Sequence, residues 1–413
     1  LTPDRQLRPR LRHVEAFPIE TERGRLIALR DPAGYTDAVL AVPRPLLDMV
    51  SLFDGDHSIG DIQEILTRRQ GRLVLAEEIG TVLEALDQGG FLDTERFAER
   101  RRAVECAFRD APARAATHAG GAYAGEPAAL RAQMDAFFTA SDGPGAIRWG
   151  DGAGRPGPRA LIAPHIDFHR GGPAYAWGYR DLAERSDADC FVVFGTCHAG
   201  MAEPFALTLK DFDTPLGPAP VDREFADGLA RRAGGDVFGS ELSHRAEHSI
   251  EFQAVFLRYL FAGRRDVTIV PVLASFVHEA IARGHGPEDD ARVPRFLDAV
   301  AETIAASRRK VCVIAGADLA HVGPRFGDAE PISPSGLATV EREDLAMLET
   351  VTAGDARAFF ESAARDRDRR RVCGLSPIYA LLRTAGAATG ELRRYGQWPD
   401  PQATVTFASV TLS

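Results

Sequence analysis

The sequence is poor in the features that mark several large classes of protein. Its 413 residues include only five cysteines, an odd number at irregular spacing without a CxxC pair. Neither a disulfide framework nor a redox dithiol is encoded, which places the chain in a reducing compartment. No apolar run approaches the ~18 residues of a membrane span, and the first residues lack the apolar core of a secretory signal. Basic residues are not in excess: 49 Lys+Arg against 59 Asp+Glu give a net charge of −10. That balance argues against a general nucleic-acid binder, whose phosphate-facing surface must be basic.

Several catalytic signatures are missing too. There is no GxxxxGK[ST] to cradle phosphates, no GxSxG nucleophile elbow and no HExxH zinc helix. The one GxGxxG spacing, at Gly152, Gly154 and Gly157, sits in a proline-containing loop ahead of a strand. A dinucleotide turn must follow a strand and open a helix, so this match reads as coincidence. The absences together predict a cytoplasmic protein with no nucleic-acid and no membrane partner.

What is present reads as ordinary globular chain, with 45% hydrophobic and 26% charged residues. At ~150 residues per domain the length allows two or three domains. In the first hundred residues, apolar stripes at Leu46–Phe53, Ile59–Leu66 and Ile79–Leu86 have helical spacing. Asp54-Gly55 stops the first, and Ser58 with Asp61 three residues later forms a capping pair for the second. Gly89-Gly90 ends the third, and Phe91-Leu92 follows as a strand-like edge. This pattern predicts a small winged-helix-like α+β domain over residues 1–100, serving either to dock a peptide or protein partner or simply as a packing appendage. An Ala/Arg-rich connecting helix or linker over 101–115 follows it.

From 116 to 413 the pattern changes. Leu130–Phe138 looks helical, and short apolar runs at Ala160–Ala163, Cys190–Phe194, Val267–Leu273 and Lys310–Ala315 read as strands. Helical stretches at Asp222–Arg232, Ile250–Phe261 and Val293–Ser307 separate them, and Thr404–Val410 adds a late strand. Fully apolar strands alternating with helices predict an α/β domain with a mainly parallel central sheet flanked by helices.

In such sheets ligands bind beyond the carboxyl ends of the strands. Three predicted strands deliver a histidine there: His165 after the first, His198 after the second, and Asp318 with His321 after the fourth. Neutral imidazole is the commonest ligand of Zn, Fe and Cu, and His with carboxylate suits non-haem Fe(II). Three strand ends at one edge therefore point to a metal or acid–base site, with satisfied structural histidines as the alternative. His244 and His248 lie four apart at the start of a helix. His244 reads as a capping or surface residue. His248, flanked by Glu247 and Glu251, reads as an acid–base group. Cys197 and Cys373 are either reactive thiols or inert ones. The Arg365–Arg371 run reads as solvated, self-neutralising surface, and Tyr175, Trp177 and Tyr179 as helix packing.

These residues carry a family resemblance. Thr117-His118-Ala119-Gly120 with Tyr123, Ile162-Ala163-Pro164-His165, Phe194-Gly195 to His198 and Thr214-Pro215-Leu216 come first. Glu247-His248-Ser249-Ile250-Glu251, Ile269-Val270-Pro271-Val272, Asp318-Leu319-Ala320-His321 and Cys373-Gly374 with Pro377 follow in order. Over about 116–413 the sequence resembles the Memo family, called AmmeMemoRadiSam system protein B in many bacteria. The first hundred residues resemble a PqqD-like winged-helix domain, a type that grips leader peptides.

The resemblance implies a fold similar to class III extradiol dioxygenases, with a divalent metal at the sheet edge. Fe(II) is the leading expectation, with Cu or Zn as alternatives. By motif it implies His165 and His198 as metal ligands, with Asp318, His321 or Glu251 completing the set; Glu251 is taken as the third ligand, and His248, Asp318 and His321 as catalytic groups. It also implies a cysteine ligand at the position held here by Ala320, and the loss of a thiolate there favours Fe(II) over Cu(I). The implied function is a non-haem iron oxidoreductase acting on a small-molecule or peptide substrate. A non-catalytic metal-binding scaffold and a zinc hydrolase are the alternatives.

Overall fold

The computed structural model describes residues 3–21, 24–150, 157–386 and 389–413. Gly152 and Gly154 of the GxGxxG spacing lie outside the described residues. The chain divides after Ala111: Leu1–Ala111 and Pro112–Ser413 are separate units, each with its own core.

The smaller unit begins with an antiparallel meander, β1 (Glu15–Thr21), β2 (Gly24–Arg30) and β3 (Val39–Pro43). Four helices follow: α1 (Arg44–Val50), α2 (Ile59–Gln70), α3 (Ala76–Gln88) and α4 (Glu95–Asp110). The expected capping pair is formed. Ser58 Oγ accepts from the Asp61 N–H while the Asp61 carboxylate accepts from the Ser58 N–H. Gly71, left-handed at φ +65°, ends α2. Ile59, Ile62 and Leu66 of α2 meet Ile79, Leu83 and Leu86 of α3 in the core. Sequence reading anticipated these helices but not β1–β3. It placed a strand edge at Phe91-Leu92, where Leu92 forms only an isolated bridge with Leu11. Of the expected connecting helix or linker, residues 101–110 are helical and complete α4.

The larger unit contains β4 (Ala113–Arg114), α5 (Pro127–Thr139), β5 (Ala160–Ala163), α6 (Phe168–Arg185), β6 (Cys190–Thr196), β7 (Phe205–Leu207), β8 (Asp211–Phe212), α7 (Arg223–Ala233), α8 (His248–Phe261) and β9 (Thr268–Ala274). It continues through α9 (Val277–Arg283), α10 (Arg292–Ala306), β10 (Val311–Gly316), β11 (Asp318–Val322), α11 (Pro334–Thr352), α12 (Ala356–Ala364), α13 (Leu375–Thr384), β12 (Gly390–Gln397) and β13 (Thr404–Leu412). The large sheet runs β11-β13-β5-β10-β6-β9-β7, with β12 also paired to β13. Its centre, β5, β10, β6 and β9, is parallel. Both flanks are antiparallel, β7 on one side and β13 with β11 and β12 on the other. The expected mainly parallel sheet is thus a mixed one. A short connection joins β12 to β13, and only an antiparallel pair tolerates that. β13 alternates Thr or Ser with apolar residues yet is buried along its whole length, and its pattern alone does not state its direction.

Helices cover both faces of the central strands. Alternate residues of β6 point to opposite sides: Phe191 stacks on Phe261 of α8, and Thr196 Oγ1 donates to the Cys373 carbonyl just ahead of α13. α8 is pinned where the parallel strands end. Ser249 Oγ donates to the Thr196 carbonyl at 2.9 Å, and Gln253 Nε2 donates to the Pro164 carbonyl at 2.8 Å. Tyr179, one of the expected packing aromatics, donates to Gln253 Oε1 and fixes that amide. The helix comes so near that a Cβ on Gly316 would lie 2.3 Å from the Ser249 carbonyl oxygen. Among the described residues no helix is long and apolar enough to cross a membrane.

Because the obstructing atom is backbone, it cannot swing aside. Gly316→Ala should therefore destabilise the larger unit by about 2–3 kcal/mol or more, as overpacked cores do. A thermal or urea unfolding midpoint indistinguishable from wild type would contradict this contact.

Candidate metal centre

Sheet register brings the strand ends level. Gly316 of β10 pairs with Ala163 of β5 on one side and Gly195 of β6 on the other. His165 and His198 each stand two residues beyond their strands, and His248 is the first residue of α8. The three rings converge, with centroid separations of 4.9 Å for His165–His198, 5.3 Å for His165–His248 and 4.7 Å for His198–His248. One nitrogen from each lies within 4.8 Å of the others, a separation a single ion can bridge.

The opposite side of each ring is held by an acceptor. His165 Nδ1 donates to the Gly316 carbonyl at 2.9 Å, which leaves Nε2 as its ligating nitrogen. His198 Nδ1 lies 3.0 Å from Glu247 Oε1, and the His198 backbone N–H donates to Glu247 Oε2. The same carboxylate caps α8, accepting from the N–H groups of His248 and Ser249, and lies 3.3 Å from His248 Nδ1. Acceptors behind metal-binding imidazoles fix their tautomer and raise their basicity. From sequence alone Glu247 reads only as an acidic neighbour of His248.

Burial keeps His165 and His248 neutral, as metal ligation requires. Burial and the neighbouring His198 push His165 down to about 3, and burial holds His248 well below the ordinary histidine range. Burial alone would raise Glu247. Contact with His198 and His248 overrides it and holds the carboxyl well below the usual range.

A thiol stands beside His165, from a position other than Ala320. Ala320, where the resemblance implied a cysteine, is buried in β11 with its N–H donating to Thr406 Oγ1. Cys373, in the loop before α13, instead places Sγ 3.1 Å from His165 Nε2. Gly374 permits the approach, since a Cβ there would lie 2.4 Å from the Asp318 carbonyl oxygen. Burial, with the Asp318 charge, pushes this thiol well above its ordinary range. A coordinating metal deprotonates a thiol outright.

The other expected site residues take different places. Glu251, expected as the third ligand, is not brought to the cluster. It is wholly buried, and its carboxylate accepts from the guanidinium of Arg114, the N–H of His118 and the hydroxyl of Tyr123. His118 Nδ1 lies 2.9 Å from Glu251 Oε2. Arg114, also fully buried, donates in addition to the carbonyls of His244 and Glu247. His248, expected as an acid–base group, takes the third place in the cluster. Asp318 stands behind His165, accepting its backbone N–H at 2.9 Å, and burial pushes its carboxyl up to about 6. His321 donates from Nδ1 to the Leu319 carbonyl, and burial pushes it down to about 4. With His198, Cys373 and Phe326 it lines a cleft of about 400 Å3.

Three further readings change. His244 is buried and bonded to the Ala206 carbonyl rather than lying at the surface. The Arg365–Arg371 run is only partly solvated. Arg370 is buried against Asp344, and Arg371 reaches the cleft, donating to the His321 carbonyl and to Asp328. His118, quoted only within a motif, lies 5.5 Å from the His248 ring. No spacing rule could single it out, because a carboxylate 133 residues away holds it.

The Arg114–Glu251 pair sets an acid limit. Burial would raise the Glu251 carboxyl, but His118 and Arg114 override this and hold it at about 2 against an ordinary 4.5. Its contribution to stability is therefore complete above pH 4.5 and lost as pH falls towards 2. Glu251→Gln should lose about 3–5 kcal/mol near neutral pH by stranding Arg114, and should flatten the acid limb of the stability curve. Unfolding midpoints measured across that range would contradict the assignment if wild type and variant ran parallel.

Comparison with known proteins shows what the chain is similar to. The Memo-like protein family model matches residues 114–410. A MEMO1 family protein of Aquifex aeolicus is 27% identical over 397 residues, covering 94% of this chain and 95% of its own length. A MEMO1 family protein of Methanopyrus kandleri is 30% identical over 284 residues, covering 67% of this chain and 89% of its own. One from Thermus thermophilus is 27% identical over 327 residues, covering 79% of this chain and 89% of its own.

Proposed function

The chain belongs to the Memo-like protein family, and from that premise we propose that it is a metal-dependent oxidoreductase of class III extradiol dioxygenase-like fold. Iron(II) is the leading metal, held by His165, His198 and His248. The observation that carries this reading is the convergence of three imidazoles at the carboxyl ends of parallel strands, each oriented from behind by a carbonyl or by Glu247. The donor set fits a first-row metal: neutral nitrogens in front, one buried carboxylate behind, and a cleft on one side to admit a substrate. Bound there, such a metal supplies redox chemistry and Lewis acidity.

The chain's own groups do the rest. Glu247 and Gly316 hold the ligand rings. Asp318 orients the His165 backbone. His321, facing the cleft as a neutral imidazole, is placed to accept or return a proton. The smaller unit, with its separate core, is proposed to dock a peptide or protein partner. Cys373 favours a second reading, a copper(I)-binding protein without turnover, because soft thiolate selects that ion.

Protein purified without oxygen and without affinity-tag metals should carry about one transition metal per chain, lost in His165→Ala/His198→Ala. Glu247→Gln should weaken retention by about 10–100-fold. Cys373→Ser separates the two readings: iron is retained in the variant, whereas copper(I) is lost. Failure of the wild-type protein to retain Fe(II), Cu(I) or Zn(II) after reconstitution would overturn both.

A further inference from the structure

The cleft beside the histidines adjoins a second hollow. His278 and Arg371 line both the inner cleft of about 400 Å3 and an outer one of about 600 Å3, to which Arg283, Arg367 and Asp368 are added. Three arginines, a histidine and one carboxylate thus line the mouth of the cleft.

The bonding of these groups shows which charge is already spent. Asp368 accepts the Val372 N–H with both oxygens and lies 3.4 Å from His278 Nε2. Arg371 is shared between the His321 carbonyl and Asp328. Arg283 pairs in solvent with Glu279 on its own helix. Arg367 forms no ion pair among the described residues.

The backbone that presents them is unusual. Arg367, Asp368 and Arg371 have φ of +57°, +50° and +53°, and they are the only non-glycine residues with positive φ among those described. Ordinary side chains avoid this region, and it persists where surroundings over-determine it, commonly at ligand clamps. The surroundings here include the buried Arg370–Asp344 pair, with Asp344 in turn held by the hydroxyls of Thr406 and Tyr395. The turn is fixed from below, with Arg371 in the cleft and Arg367 at its mouth.

We propose that this turn recognises an oxyanion, a carboxylate or a phosphate, on a small and otherwise largely apolar substrate of the metal cleft. Arg371 and Arg367 are its specificity-determining residues. The planar guanidinium suits either oxyanion, and Phe326, Ala274 and Cys197 supply apolar wall inside. With Arg283 paired to Glu279 and Arg371 to Asp328, Arg367 is the guanidinium at the mouth with no ion-pair partner among the described residues, free to meet an anion. The proposal rests on the metal cleft being the reactive site.

The test is calorimetric titration of the full-length protein, metal-free and iron-loaded, with phenylacetate, phenyl phosphate and the neutral phenylacetamide. At least one acid should bind about ten-fold or more tightly than the amide, with a preference that shrinks in high salt. The tighter acid identifies the oxyanion. Arg367→Gln, at an exposed position with no ion pair to lose, should weaken that acid several-fold while leaving circular dichroism and melting unchanged. Arg371→Gln should weaken it further, and Arg371→Lys should restore part of the loss. Equal binding of acid and amide, no binding of any probe, or an acid affinity unmoved by Arg367→Gln would each overturn the proposal. Anion preference in a protein that retains no metal sinks the metal reading alone. Metal retention without anion preference sinks this one alone.

Discussion

The carboxylate of Glu247 is the joint on which the larger unit's site depends. Burying a carboxylate is costly unless several donors reach it, and here the backbone N–H groups of His198, His248 and Ser249 do, with the ring of His198 as well. One buried side chain therefore ends β6, begins α8 and sets the rotation of an imidazole on each. The helix can reach that position because Gly316 has no side chain to hold it off. Remove either feature and the three rings have no reason to converge.

The layers of charge around this joint are ordered. Three imidazoles occupy the centre, with His165 and His248 kept uncharged by burial. Carboxylates stand behind them: Glu247 ionised, Asp318 pushed up towards neutrality, and Glu251 held down by Arg114 and His118. A divalent ion at the centre would be balanced by Glu247 and by the Cys373 thiol as thiolate. Beyond the cleft, Arg371 is shared with Asp328 while Arg367 stands at the mouth with no ion-pair partner among the described residues. The centre suits a cation and the mouth suits an anion.

What sequence made legible was local. The Ser58–Asp61 capping pair, the helices it starts and the buried strands of the larger unit all follow from periodicity within a dozen residues. His165, His198 and His248 were visible because each sits where a strand or helix of the site begins or ends. Contacts distant in sequence were hidden. Glu251 looked available until Arg114, 137 residues earlier, claimed it. Cys373 reaches His165 across 208 residues, and nothing in its own neighbourhood announces that. The direction of β13 and the meander β1–β3 were missed for a related reason: pairing is a property of two segments, and a single segment's pattern does not state it. The arginine run misled because composition alone cannot separate Arg370, held in the core by Asp344, from its solvated neighbours.

The central claim is that His165, His198 and His248 together hold one metal while Glu251 stays with Arg114. It is tested most directly by crystallography of the metal-loaded protein, with anomalous scattering recorded at the iron and copper edges. The account predicts a single anomalous peak at the meeting point of the three imidazoles, with the Arg114–Glu251 pair intact. A peak that engages Glu251 in place of His248, or one remote from all three rings, would contradict it.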